Sequence, residues 1–130
     1  VTLSPEPKKT RIQMMFAQDF SIGLTRWGPD YADPQSYLDL FTTGASMNFG
    51  NYSNADFDAL ETKATKGEDV NDSDKRLEDM AQAERILIED DAAIAPICQE
   101  GGAILINPDV EGYIPLVIGA GSWRHFTKKY

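Results

Sequence analysis

The stretch Arg26-Trp27-Gly28-Pro29-Asp30-Tyr31-Ala32-Asp33-Pro34 constrains the fold more than any other part of the chain. It follows an alternating run, Phe20-Ser21-Ile22-Gly23-Leu24-Thr25, whose period of two predicts a strand over about 20–27. Asp33-Pro34 then predicts a helix start. Asp33 is the cap, and Pro34, whose ring presets φ and whose missing N–H is no loss there, takes the first helical position. The backbone must leave a sheet, turn and enter a helix within a few residues. A large flat aromatic, a glycine and a carboxylate stand together at that junction. Trp27 offers a rigid apolar wall, and Asp30 is a group that pairs with an ammonium through a charge-assisted hydrogen bond. The plainer reading makes Trp27 a core residue and Asp30 a turn former beside Pro29.

The remaining pattern alternates helices with short apolar runs. Ile12, Met15 and Phe16 sit at helical spacing in a helix over about 8–18. Tyr37, Leu38 and Phe41 form the apolar face of the helix that Asp33 starts, and Gly44 ends it. A loop rich in Gly, Ser and Asn covers 44–51. Ser53 with Asp56 reads as a capping box for a helix to about Lys66, with Phe57, Leu60 and Ala64 on one face and Gly67 as the stop. The acidic run 68–74 reads as a solvated linker. Asp72 or Ser73 caps the longest helix, 74–89, where Leu77, Met80, Ala81, Ala83, Leu87 and Ile88 form the buried stripe. Residues 93–98 and 103–106 read as strands around a Glu100-Gly101-Gly102 turn, with Pro96 marking an edge or bulge. Asn107-Pro108-Asp109 is a turn, 122–127 a last strand, and 1–3 a strand at the start.

Composition removes several function classes. With 130 residues and 42% hydrophobic content the chain can bury a core. No apolar run approaches the ~20 residues needed to span a bilayer. The net charge of −9 argues against nucleic acid, which needs a basic surface. Cys98 is the single cysteine and His125 the single histidine, so neither a disulfide nor a zinc set is expected within the chain. Cys98 reads as a small buried hydrophobe and Met14-Met15 as core. Gly101-Gly102 lacks the lysine of a phosphate loop. Asp30 and Asp33 resemble a catalytic carboxylate pair, but the helix-cap role accounts for Asp33. His125 has no nucleophile or carboxylate beside it in sequence. The opening residues, strand-like and followed at once by proline and charge, read as part of something larger.

Taken in order, Asp19-Phe20, the Trp27-to-Pro34 stretch, Met47-Asn48, Tyr52-Ser53-Asn54, Phe57-Asp58-Ala59-Leu60, Ala83-Glu84-Arg85-Ile86-Leu87 and Ala93-Ile94-Ala95-Pro96-Ile97 form a pattern. It resembles the C-terminal part of the oligopeptide- and dipeptide-binding proteins of ABC importers, solute-binding protein family 5. The Trp-Gly-Pro-Asp-Tyr-x-Asp-Pro form is most similar to the oligopeptide-binding lipoproteins of Gram-positive bacteria. The resemblance covers about residues 8–112. It implies an α+β chain. Residues 1–130 would be the C-terminal portion of one lobe of a two-lobed periplasmic-binding-protein type II fold, a mixed sheet with flanking helices.

The resemblance also implies an extracytoplasmic binding protein without catalysis, cofactor or metal. It would take up an oligopeptide and deliver it to the transmembrane permease, held to the membrane by a lipid anchor outside this stretch. Asp30 would anchor the peptide's α-ammonium. The main chain of Arg26 and Gly28 would pair with the extended peptide irrespective of its sequence. Trp27 and Tyr31 complete the ligand-binding set. Where some relatives carry basic residues for the peptide carboxylate, this chain has Met15 and Leu24, which implies longer peptides or a different arrangement. Cys98, Gln99 and Glu100 stand where relatives can carry tyrosines. Family members that bind nickel, haem or oligosaccharides define the alternative solutes, and a hydrolase using Asp30 and Asp33 defines the alternative class. Three expectations follow. Asp30 is not consumed by a Lys or Arg, Trp27 is only partly buried, and apolar strand edges lie exposed.

Overall fold

Apolar spacing and capping side chains put the helices where the pattern places them. α1 spans Lys8–Phe16, α2 Gln35–Leu38, α3 Ala55–Thr65 and α4 Ser73–Arg85. The computed structural model describes residues 2–116, 118, 119, 121, 122 and 124–129. A 3-10 turn, Asp39–Phe41, continues α2, and a wider π turn, Ile86–Asp90, continues α4. The core lies where α2, α3 and α4 meet. Leu38, Phe57, Ala64, Met80, Ala83 and Leu87 are buried there, with Phe41, Tyr52, Leu60, Ile86, Ile88 and Ile94 packed around them.

The stripe on α4 is narrower than its sequence suggests. Met80, Ala83 and Leu87 point inward, whereas Leu77 and Ala81 face out. The inward face instead carries Arg76 and Asp79, which the pattern of apolar residues alone does not count. Arg76 pairs with Asp33, and Asp79 Oδ1 accepts from Lys63 on α3, while Asp79 Oδ2 is buried without a hydrogen-bond partner. The cap of α3 is also displaced by one residue. Asn54, not Ser53, accepts hydrogen bonds from the N–H groups of Asp56 (2.9 Å) and Phe57 (3.1 Å), while the Ser53 hydroxyl bonds that of Thr43. Asp72 caps α4 through the Lys75 N–H. Gly67 follows α3 at a close approach: a Cβ there would lie 2.7 Å from Lys63 Cα.

Two loops are more ordered than their composition implies. In 44–51, the buried Asn48 side chain donates to the carbonyls of Thr42 (3.2 Å) and Tyr52 (2.8 Å) and accepts from the Tyr52 N–H (2.9 Å). The acidic run is not simply solvated. Asp69 is buried, and Lys63 Nζ lies 2.6 Å from it and 3.2 Å from Asp79 on α4. One lysine thus neutralises two buried carboxylates, which hold its own pKa high through direct hydrogen bonds.

The predicted strands at 20–27, 93–98 and 103–106 take no regular secondary structure, with bends at Ser21 and Ile22, and they and residues 2–3 make no ladder among the described residues; Val1 lies outside the described residues. A strand exists only with a partner at hydrogen-bonding distance, and none of these segments meets one. Apart from the half-buried Phe20 and Ile94, their apolar side chains stay in the open, Ile22 being 85% and Leu105 102% exposed. Cys98, in one of them, is exposed rather than buried. Pairing among the described residues is confined to β1, Val110–Glu111, antiparallel to β2, Thr127–Lys128, with Val110 opposite Lys128. Ile114 and Ser122 make an isolated bridge. The Asn107-Pro108-Asp109 turn leads into β1, the Val110 N–H donating to Asn107 O. Gly112 has φ of 85°, and a Cβ there would come within 1.8 Å of the His125 carbonyl oxygen, so only glycine fits.

Candidate functional site

The Trp27-to-Asp33 stretch folds back onto the first turn of α2. Asp33 caps that turn, its Oδ1 accepting the Gln35 N–H at 2.9 Å, and Pro34 has helical φ and ψ of −56° and −30°. Ser36, which is 3% exposed, then meets three residues of the stretch. Its carbonyl oxygen accepts the Trp27 indole N–H at 2.9 Å. Its hydroxyl oxygen accepts the Asp30 backbone N–H at 2.7 Å. Its own N–H donates to Asp33 O at 3.1 Å.

Asp30 and Asp33 sit three residues apart in opposite states. The Asp33 carboxylate is clasped by both terminal nitrogens of Arg76, each at 2.8 Å, and Arg76 Nε also donates to the Ala64 carbonyl at 3.1 Å. The guanidinium holds Asp33 below the usual carboxylate range. A carboxylate whose ionised form is held by a guanidinium is a poor general acid, which weighs against the carboxylate pair that a hydrolase would use. Asp30 is exposed, and among the described residues no lysine or arginine pairs with its carboxylate.

The other expected site residues are arranged around it. Trp27 is 39% exposed, with its indole N–H held by the Ser36 carbonyl. The main-chain groups of Arg26 and Gly28 have no hydrogen-bond partner among the described residues. A Cβ at Gly28 would meet nothing within 4 Å. The Arg26 side chain turns away to pair with Glu100 in the extended 97–106 segment, and Arg11 donates to Leu24 O just upstream. Tyr31 is exposed at its ring, and partial burial together with Asp39, Asp33 and Glu61 pushes its phenol pKa up. Asp30, Trp27, Gly28 and Tyr31 are therefore all exposed, while the Arg26 side chain pairs with Glu100.

Three residues under this surface escaped the sequence reading. Ser36 is a polar residue in the first turn of a helix, and nothing in its spacing marks it. Arg76 had a signal: a cation on the apolar stripe of α4, four residues before Met80, requires a buried partner. Glu61 had the same signal on α3, one residue after Leu60. It is 3% exposed, and neither carboxylate oxygen has a hydrogen-bond partner. Burial, reinforced by Asp39 and Asp33 and opposed by Arg76, pushes its pKa up to about 7. The Asp39 pKa is raised by burial and by the charge of Asp30. A separate cleft of about 200 Å³ between α1 and the 44–51 loop is lined by Met15, Phe16, Asn48 and Phe49, with no residue of the 26–33 stretch.

No protein-family profile matches the chain. Curated relatives do. The dipeptide-binding protein of Lactococcus lactis subsp. cremoris (strain MG1363) is 37% identical over 112 residues, which is 86% of this chain and 20% of that protein. DppE, a dipeptide-binding protein of Bacillus subtilis (strain 168), is 37% identical over 103 residues, 79% of this chain and 18% of that one. The periplasmic oligopeptide-binding protein OppA of Salmonella typhimurium is 32% identical over 113 residues, 87% and 20% respectively. The chain thus spans about a fifth of the length of the curated relatives it matches. Among solved structures, the substrate-binding domain of an oligopeptide ABC transporter from Bacillus anthracis str. Ames superposes with a TM-score of 0.83 at 32% identity, over 98% of this chain and 24% of that one. OppA of Listeria monocytogenes bound to peptide gives 0.75 at 32% identity, over 95% and 23%.

Proposed function

The chain belongs, as a partial chain, to solute-binding protein family 5, the dipeptide- and oligopeptide-binding proteins of ABC importers, and from that premise we propose that it supplies one wall of a peptide-binding cleft. The whole protein would be an extracytoplasmic component, anchored by lipid or free in a periplasm, that captures oligopeptides and hands them to the transmembrane permease. Residues 1–130 would be the C-terminal portion of one lobe. The reading is one of binding without bond-breaking, with no cofactor.

One observation carries it. Of the two aspartates in the Trp27-to-Pro34 stretch, Asp33 is spent on Arg76, whereas Asp30 is exposed and has no ion pair among the described residues, three positions after a part-exposed Trp27. An exposed carboxylate fixed by its backbone is what an α-ammonium needs, and the unpaired main chain at Arg26 and Gly28 is what an extended peptide needs. Roomy contacts elsewhere then leave the side chains of the peptide unread.

Titration calorimetry on the longest natural polypeptide carrying this chain, against a pool of free-amine peptides, tests the reading. Asp30→Asn is expected to weaken binding by about tenfold or more, from losing about 1.5–3 kcal/mol. Unchanged affinity with the fold intact would remove Asp30 from the site. Binding of a metal, haem or a sugar in place of peptides would replace the ligand class.

A further inference from the structure

The geometry points to Ser36 as the positioning residue that aims the Asp30 carboxylate at a ligand's ammonium group, so that Ser36 sets how strongly the site favours a free amino terminus over a blocked one. The inference rests on the peptide reading above and deepens it.

Ser36 is nearly sealed from solvent and every polar group it has is turned to the Trp27-to-Asp33 stretch. The three contacts have different chemistry. The carbonyl holds the Trp27 indole and the N–H holds Asp33, and both are main-chain groups that any residue supplies. Only the hydroxyl, 2.7 Å from the Asp30 N–H, depends on residue 36 being serine. The Asp30 side chain has no ion pair among the described residues to hold it, so its direction is set by its backbone. That backbone is pinned by Ser36 Oγ. A substitution at 36 therefore separates the two functions of the surface. The aromatic wall and the helix start persist, and the carboxylate loses its aim.

A merely structural serine would behave differently. Its loss would weaken all peptides together, as expected for Arg76, which ties Asp33 to the α3 carbonyl of Ala64 and never reaches Asp30. Loss of the positioning bond affects only the interaction that Asp30 makes, the one with the ammonium.

The test uses the longest natural polypeptide that carries this chain and one peptide in two forms, free and N-acetylated. The unsubstituted protein is expected to bind the free form more tightly. Ser36→Ala is expected to weaken the free peptide about fivefold, the size of one lost hydrogen bond, and leave the acetylated peptide unchanged. Hydrogen exchange at the Asp30 amide should accelerate in the same variant. If the alanine variant does not fold, Ser36→Cys keeps the volume and substitutes a weak acceptor, and the same selective loss is expected. Equal loss for both peptides, or none for either, overturns the role of Ser36 while leaving Asp30 in place. An unsubstituted protein that binds both forms equally overturns the Asp30 reading, and this inference with it.

Discussion

Helices α2 to α4 bury their apolar stripes, whereas the segments 18–27 and 91–106, the second richer in apolar residues than α4, leave most of theirs open. Phe57 is 0% exposed, whereas Ile22, Leu24, Ile97, Ile104 and Leu105 all lie open. A helix closes its backbone hydrogen bonds internally and needs only a neighbour for one stripe of side chains. α3 and α4 find that neighbour in each other. An extended segment needs a second backbone at hydrogen-bonding distance and a cover for its apolar face, both from distant parts of a chain. Among the described residues, 18–27 and 91–106 have no ladder partner and, Phe20 and Ile94 apart, little cover, and their open edges are the kind that another backbone pairs with. The helical core is thus self-contained, and the candidate ligand surface sits on its border, where α2 leaves the core and the extended chain begins.

The sharpest way to break this comparison is one truncation on each side. Phe57→Ala should cost about 3–5 kcal/mol in chemical denaturation of this chain, from lost burial and the cavity left behind. Leu105→Ala should stay within about 0.5 kcal/mol. Similar costs would mean that the extended segment packs in solution. A larger cost for Leu105→Ala in the longest natural polypeptide than in this chain would identify it as a face that other sequence covers.

Glu61 tests how dry the helical core is. Its carboxyl pKa is raised, so the stability it supports is fully present below the unfolded value near 4.5 and is lost as pH rises to about 7. Glu61→Gln should raise stability by about 2–3 kcal/mol at pH 8 and change little at pH 4. Thermal melts across that range read the difference, and parallel curves for the two proteins would place water beside Glu61.

Arg76→Met removes the clasp between α4 and the start of α2. The cost should be about 1–3 kcal/mol at pH 7. Because the Asp33 pKa is lowered, the contribution is present above the ordinary carboxylate value and disappears as pH falls through the lowered one. A deficit that persists unchanged at pH 2 would assign Arg76 a packing role instead of an ionic one.

The smallest effect belongs to the outer border. Arg26 and Glu100 are both well exposed, and their pair joins the two extended segments. Arg26→Ala should change stability by less than about 1 kcal/mol, with the difference shrinking in high salt. A large, salt-independent loss would make that pair part of the core, contrary to the comparison drawn above.

Much of this was legible in advance because it is local. The Asp33-Pro34 helix start, the Asn107-Pro108-Asp109 turn and the Phe57, Leu60 and Ala64 face depend on residues within a few positions of one another. So does the placement of an exposed aspartate next to a part-open tryptophan. Even the misplaced cap, Ser53 for Asn54, is a choice between neighbours that both carry a suitable side-chain oxygen.

What lay beyond the sequence is whatever requires two distant residues to meet. Arg76 reaches Asp33 across 43 positions. Tyr52 and Asn54 both donate to Asp91, each at 2.7 Å, and so tie the end of the π turn to the cap of α3. Lys63 decides that Asp69 and Asp79 are buried rather than solvated. The strands failed for the same reason in reverse: alternation prescribes a face and an extended backbone, but it does not supply a partner. By itself, the sequence determined which segments turn, coil into helices and extend, because those outcomes follow from neighbouring dihedrals and caps. Only the tertiary structure decided which charges pair, which edges stay open and which arginine clasps Asp33, because each depends on what packing brings within a few ångströms.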